Sequence, residues 1–174
     1  MEKSSTINIS TIEGIVNSAV GYIKTWTQSE LVNIIQQNIA SKKNPLIVKL
    51  GNRGYLVGHY FLETVEKRWW RLSCSINGDQ KHIFSSKLSA VCYALCMQMG
   101  YLKQADRILN EDDAVGRLTV KSEHYFRCYK QALKKKNSQK IDLFLVRYQE
   151  SSLRLSNSKN LLEKTLQSAK YIKF

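Results

Sequence analysis

The chain has 174 residues, 43% hydrophobic and 24% charged, which suits one globular domain, with or without an appendage, and argues against wholesale disorder. One Pro and eight Gly exclude collagen-like and linker-dominated architectures, no apolar run of ~18 residues marks a membrane-spanning helix, and the polar start Met1–Thr6 lacks the apolar core of a signal peptide. Twenty-seven Lys and Arg against fourteen Asp and Glu leave a net charge of +13, so the expectation is a soluble, intracellular, basic protein that attracts nucleic acid, anionic lipid or an acidic protein surface.

The N-terminal third reads as two helices. Ser10-Thr11-Ile12-Glu13 and Thr27-Gln28-Ser29-Glu30 both fit a capping box, in which each end satisfies an orphan backbone donor. Ile12, Ile15, Val16, Ala19, Val20 and Ile23 follow the first at helical spacing; Leu31, Ile34, Ile35 and Ile39 follow the second. The second helix is expected to stop near Ser41, before Pro45.

The period then shortens to that of strands. Leu46–Leu50, Tyr55–Val65 and Arg68–Ile76 are rich in aromatic and β-branched residues, and Gly51–Gly54 punctuates them. Asn77-Gly78 signals a hairpin, with Lys81–Phe84 returning. The expectation is an antiparallel meander of three or four strands. Alternation puts Trp70, Leu72, Cys74 and Ile76 on a core face, and Lys67, Trp69, Arg71 and Ser73 on the other. The second set is read either as packed under the N-terminal helices or as a base-stacking aromatic flanked by cations.

The remainder reads as helical. Ser85 or Ser86 caps a helix ending near Gly100, and Tyr101–Leu109 forms a short one. Asp112-Asp113 would then place negative charge at the positive end of a third, which ends at Lys134-Lys135-Lys136-Asn137. A last helix runs from about Gln139 to Tyr171. Its Ile141, Leu145, Tyr148, Ser152, Leu155, Lys159, Leu162, Leu166 and Ala169 alternate four and three apart, a heptad seam with two polar interruptions. The short turn makes the last two helices an antiparallel hairpin, roughly 45–50 Å long, which exceeds what a small globule can cover. The fold class is therefore α+β, in three segments: an N-terminal helical segment (1–45), a meander with helices (46–111) and a basic helical hairpin (112–174).

Chemistry-bearing patterns are sparse. Four scattered cysteines make no disulfide framework and are expected as free thiols. Cys92 with Cys96, and His124 with Cys128, have the one-turn spacing of a zinc-binding pair on a helix, and the two pairs together would supply three thiolates and one imidazole. Core and surface thiols are the preferred reading, so no metal and no cofactor is expected. His59 and His82 fall on expected strands with no nucleophile elbow, and Gly51-Asn52-Arg53-Gly54 is a turn, not a phosphate cradle. The sequence thus points away from an enzyme. Asn8-Ile9-Ser10 matches a glycosylation acceptor by chance.

Two resemblances bear on function. Three strands and a helix carrying Trp70, Phe84 and Ala90 are similar in outline to plant AP2-type DNA-binding domains, without that family's basic strand pattern. From Gly54 onward the chain resembles small uncharacterised proteins of marine T4-like phages. That likeness rests on Gly54-Tyr55-Leu56-Val57-Gly58, Trp70, Phe84, Lys87, Ala90, Tyr93, Tyr129–Lys136 and the tail Leu166–Phe174. It implies a phage origin and supplies no catalytic residues.

The leading expectation is a non-enzymatic structural or assembly component of a large complex, a phage particle, located in the virion or host cytoplasm. Phe144, Tyr171 and Phe174 would contact other protein subunits. The alternative is a sequence-independent nucleic-acid-binding accessory. Residues 112–174 hold fourteen Lys and Arg against six Asp and Glu. Lys130, Lys134, Lys135, Lys136 and Lys140 would meet phosphates there, with Arg71 and Trp69 as a second site. A weaker third is an adaptor or inhibitor of an acidic host protein.

Overall fold

A computed structural model describes residues 47–50, 54–66, 68–74 and 80–170. The two expected N-terminal helices, Ile76, the Asn77-Gly78 turn, Tyr171 and Phe174 lie outside them. The described chain is α+β, a five-stranded antiparallel sheet followed by three helices. The strands are β1 (Ile47–Lys49), β2 (Tyr55–Val57), β3 (Tyr60–Val65), β4 (Trp69–Cys74) and β5 (Gln80–Phe84), and they neighbour one another in sequence order. The helices are α1 (Lys87–Gln98), α2 (Leu102–Lys134) and α3 (Ser138–Lys170).

The run expected as one segment, Tyr55–Val65, is two strands. Val57 pairs with Tyr60, which leaves Gly58 and His59 as a two-residue hairpin loop. Gly58 takes φ 55, a left-handed value that glycine adopts without steric cost. A Val-Gly-His-Tyr sequence lacks the Asn-Gly signature of such turns, and the extra strand follows from the glycine alone. His59 accordingly sits in a turn and not on a strand.

Along β4 the expected core residues Leu72 and Cys74 are buried and Trp70 is half-buried, but Ser73 of the other face is buried too, so burial does not alternate. Register places Leu72 between Leu62 of β3 and His82 of β5. Helix α1 closes this face. Ser86 caps it, its hydroxyl accepting from the Ser89 N–H at 3.1 Å. Ala90 and Ala94 are fully buried, and Tyr93 packs on Phe84 with ring centroids 5.3 Å apart. The Lys87 ammonium lies 3.5 Å from the centroid of the Tyr55 ring. Leu56, Phe61 and Ser73, cross-strand neighbours on the opposite face, are buried as well.

Helix α2 departs from expectation. The short helix 101–109 and the helix expected to begin at Asp112 are one continuous 33-residue element, about 50 Å long. The break expected between Leu109 and Asp112 is absent because the buried row Ala105, Ile108, Asp112, Val115 keeps helical spacing straight through it. Asp112 is not a charge at a helix end. It is 1% exposed and accepts from the Ser85 backbone N–H at 2.6 Å and the Ser85 hydroxyl at 2.8 Å. A mid-helix carboxylate thereby pins the link between β5 and α1.

Helices α2 and α3 form the expected antiparallel hairpin. Two paired bonds close α2: the Asn137 N–H donates to the Ala132 carbonyl at 3.2 Å and the Lys136 N–H to that of Leu133 at 3.1 Å. Lys136 occupies the left-handed position of this motif, φ 51, where glycine is usual. Asn137 serves both helices: its backbone N–H closes α2, as its sequence position implied, and its side-chain oxygen caps α3 by accepting from the Lys140 N–H at 3.1 Å. Facing residues lie equally far from Asn137: Ser122 and Ser152 touch through their hydroxyls at 3.1 Å, and the Phe126 and Tyr148 rings are 5.0 Å apart. The seam is buried where it nears the sheet, at Ile108, Val115, Leu162, Leu166 and Ala169. Towards the turn, Phe126 and Leu133 are partly exposed.

Candidate functional site

Three surfaces compete for function. The first is the hairpin tip. Lys130, Lys134, Lys135, Lys136 and Lys140 are all exposed around the turn, as a phosphate-contacting role requires. The Lys130 ammonium lies 4.4 Å from the centroid of the Phe126 ring.

The second surface is where sequence placed Trp69 and Arg71. Arg71 is not a free cation: its guanidinium pairs with Glu63 at 2.6 Å across the β3–β4 register. Trp69 leans on α2, where a Cβ added at Gly116 would sit 3.3 Å from its ring. It lines a groove of about 540 Å³ with Val65, Ile83 and Val120, bordered by Glu66 and Asp113. Trp69 and Arg71 are thus placed apart in role: Arg71 is paired with Glu63, and Trp69 lines an apolar groove whose charged border holds Glu66 and the Asp113–Arg117 ion pair. Beside it, Arg68 grips both carboxylate oxygens of Glu123 on α2, and this hydrogen bonding holds Glu123 below the usual carboxylate range.

The third surface was not anticipated. Lys121 and Tyr125 of α2 and Arg147, Glu150, Ser151 and Arg154 of α3 line a groove of about 320 Å³ on the flank of the hairpin, with Leu118. The Lys121 ammonium and the Arg147 guanidinium each lie 6.0 Å from the Tyr125 ring centroid. Among the described residues, the ion pairs engage Arg68, Arg71, Arg107 and Arg117, and none includes Lys121, Arg147 or Arg154. Ser151 is buried and donates to the Tyr148 carbonyl at 2.9 Å, so its hydroxyl proton is committed. Arg147 and Arg154 stand one heptad apart, each one place before a seam residue. Their meeting with Tyr125 follows only from the register that Asn137 sets, which is the signal that would have found them.

The four-residue zinc set does not assemble. Cys92 and Cys96 are buried on α1, whereas His124 is exposed on α2 with the Cys128 thiol 3.6 Å from its ring nitrogen. Among the described residues no three His, Cys, Asp or Glu side chains group as metal ligands. Burial lowers the His82 pKa and raises the Cys96 pKa, which keeps both groups neutral in the core. Phe144, a candidate interface residue, is partly buried on α3. No described helix is long and apolar enough to cross a membrane.

Neither a family model, nor a curated protein, nor a solved structure matches the chain.

Proposed function

We propose that the protein is a non-enzymatic structural or assembly component of a larger complex, with the sheet domain docked and the hairpin arm laid across neighbouring protein subunits. One observation carries this reading. Leu143, Val146, Leu153 and Leu161 are exposed along the side of α3 opposite the seam, and Leu153 is 65% exposed. Helix α3 therefore carries apolar side chains on two opposed sides, and among the described residues only those of the seam are packed. An apolar row of this kind is more typical of an interaction face than of a solvated helix surface. That the complex is a phage particle, in the virion or in the host cytoplasm during assembly, rests on the sequence resemblance.

Sedimentation and light scattering across a concentration series test the proposal, with the double variant Val146→Glu, Leu153→Glu as comparison. The wild-type chain is expected to self-associate or to co-purify with particles, and the variant to lose that association. A monodisperse wild-type monomer that never enters particles refutes it.

A second reading, sequence-independent nucleic-acid binding, is favoured by the exposed lysines of the tip. Neutralising Lys134, Lys135 and Lys136 together should flatten the salt dependence of duplex binding by roughly two to three units of slope. An unchanged slope removes them from the interface.

A further inference from the structure

We infer that the flank groove of Lys121, Tyr125, Arg147 and Arg154 is a discrete site for single-stranded nucleic acid, taking backbone phosphates on its cations and an unpaired base against the tyrosine. The inference rests on the nucleic-acid reading and deepens it, since the groove is distinct from the lysines of the tip.

Charge makes the first part of the case. Elsewhere on the described surface Arg68, Arg71, Arg107 and Arg117 are each matched to a carboxylate, and Arg127 stands alone outside any ion pair. In the groove three cations from two helices converge on one concavity and are left without an ion pair. Guanidinium groups suit this task because their planar forks match phosphate oxygens two at a time. Arg147 and Arg154 are separated along α3 by ~10 Å, on one side of the helix.

Tyr125 makes the second part. A purely electrostatic surface for an acidic peptide has no use for an aromatic ring between its cations. Base stacking does, and it needs a base free of its partner. The ring lines the groove with Leu118 and lies 5.7 Å from the His124 ring, centroid to centroid. Glu150 is the dissenting group: its carboxylate lines the same groove between the two arginines and repels phosphate. The lining still carries more positive than negative charge, and Glu150 supplies a control that a merely structural surface would not.

The test is binding of a fluorescent oligothymidine and of a duplex, at low and high salt, to the full chain and to variants checked for folding by circular dichroism. Four variants suffice: Tyr125→Leu, Tyr125→Phe, the pair Arg147→Gln with Arg154→Gln, and Glu150→Gln. Tyr125→Leu should weaken the single strand ~10-fold and leave the duplex nearly unchanged, whereas Tyr125→Phe retains binding. The double arginine variant should lower the single-strand salt slope by ~1.4, two phosphates at ~0.7 each. Glu150→Gln should tighten binding. If the wild type binds nucleic acid but all four variants behave like it, the groove assignment is overturned and the tip reading survives. If the wild type binds neither strand form even at low salt, both fall. If polyglutamate displaces the oligonucleotide with equal affinity, the site takes acidic protein and the inference is overturned.

Discussion

Replacing Asp112 tests how the sheet domain is joined to the long helix. The carboxylate is 1% exposed and accepts two hydrogen bonds from Ser85, one from the backbone N–H and one from the hydroxyl. Asp112→Ala leaves both donors without that acceptor. Hydrogen bonds to a charged group contribute about 1.5–3 kcal/mol each, and removing a buried charge returns part of that through relieved desolvation. The net cost expected near neutral pH is about 2–4 kcal/mol, read from urea unfolding. Asp112→Asn keeps an acceptor and removes the titration. Burial, aided by the neighbouring Asp113 charge, outweighs the hydrogen bonding from Ser85 and Ser89 and raises the Asp112 pKa above its ordinary 3.8. A raised carboxyl binds its proton more tightly in the folded state. Its contribution is therefore fully present below the unfolded pKa and is lost as pH rises through the folded one. The stability of the wild type relative to Asp112→Asn should accordingly fall between acidic and neutral pH, then level off. A difference that grows with pH would show a stabilised carboxylate instead. An alanine variant within about 0.5 kcal/mol of wild type would show that the Ser85 contact holds nothing.

Three further outcomes follow from the backbone and the seam. Lys136→Gly should raise stability by about 0.5–1 kcal/mol in thermal unfolding, because Lys136 holds φ 51 at the end of α2 and glycine removes the side-chain penalty there; a lower Tm counts against this. Gly54→Ala should cost more than about 2 kcal/mol or prevent folding, since φ is +142 and the new Cβ would lie 2.2 Å from the Leu62 carbonyl oxygen; a neutral result by circular dichroism melting contradicts that geometry. Leu166→Ala should cost about 2–4 kcal/mol and Leu153→Ala at most about 0.5, as one is buried in the seam and the other exposed; equal effects by urea titration would mean that the helix faces are misassigned.

The sequence was most legible where a short-range rule acts alone. Ser86 capping α1, the inward face of Leu72 and Cys74, and the turn after Lys134-Lys135-Lys136 each depend on neighbours a few residues away. It was least legible where a residue takes its meaning from a distant partner. Asp112 looked like helix-end charge because Ser85, far off in sequence, is what makes a buried carboxylate tolerable. Arg71 looked like an open cation because Glu63 enters only through strand register. The flank groove needed two helices brought into phase, and neither Tyr125 nor Arg147 is remarkable on its own. Gly58 is the exception among local features: its turn was hidden by apolar residues on both sides that read as one strand.

The continuity of α2 gives the arm the mechanics of an overhung lever. The helix is pinned to the sheet domain at Asp112, through Ser85, and at Glu123, through Arg68. The two pins are ~17 Å apart, and about as much helix projects beyond the outer one to Lys134. For a beam held at these two supports alone, with the packing between them neglected, statics fixes how a sideways push at the tip is shared. The outer pin bears about twice the applied force, and the inner pin bears an equal force in the opposite sense. The exposed Arg68–Glu123 clamp acts as the fulcrum, and a load on the tip pulls directly on the β3–β4 turn. Cutting that clamp with Arg68→Ala would lengthen the overhang and soften the arm without disturbing the seam near the sheet.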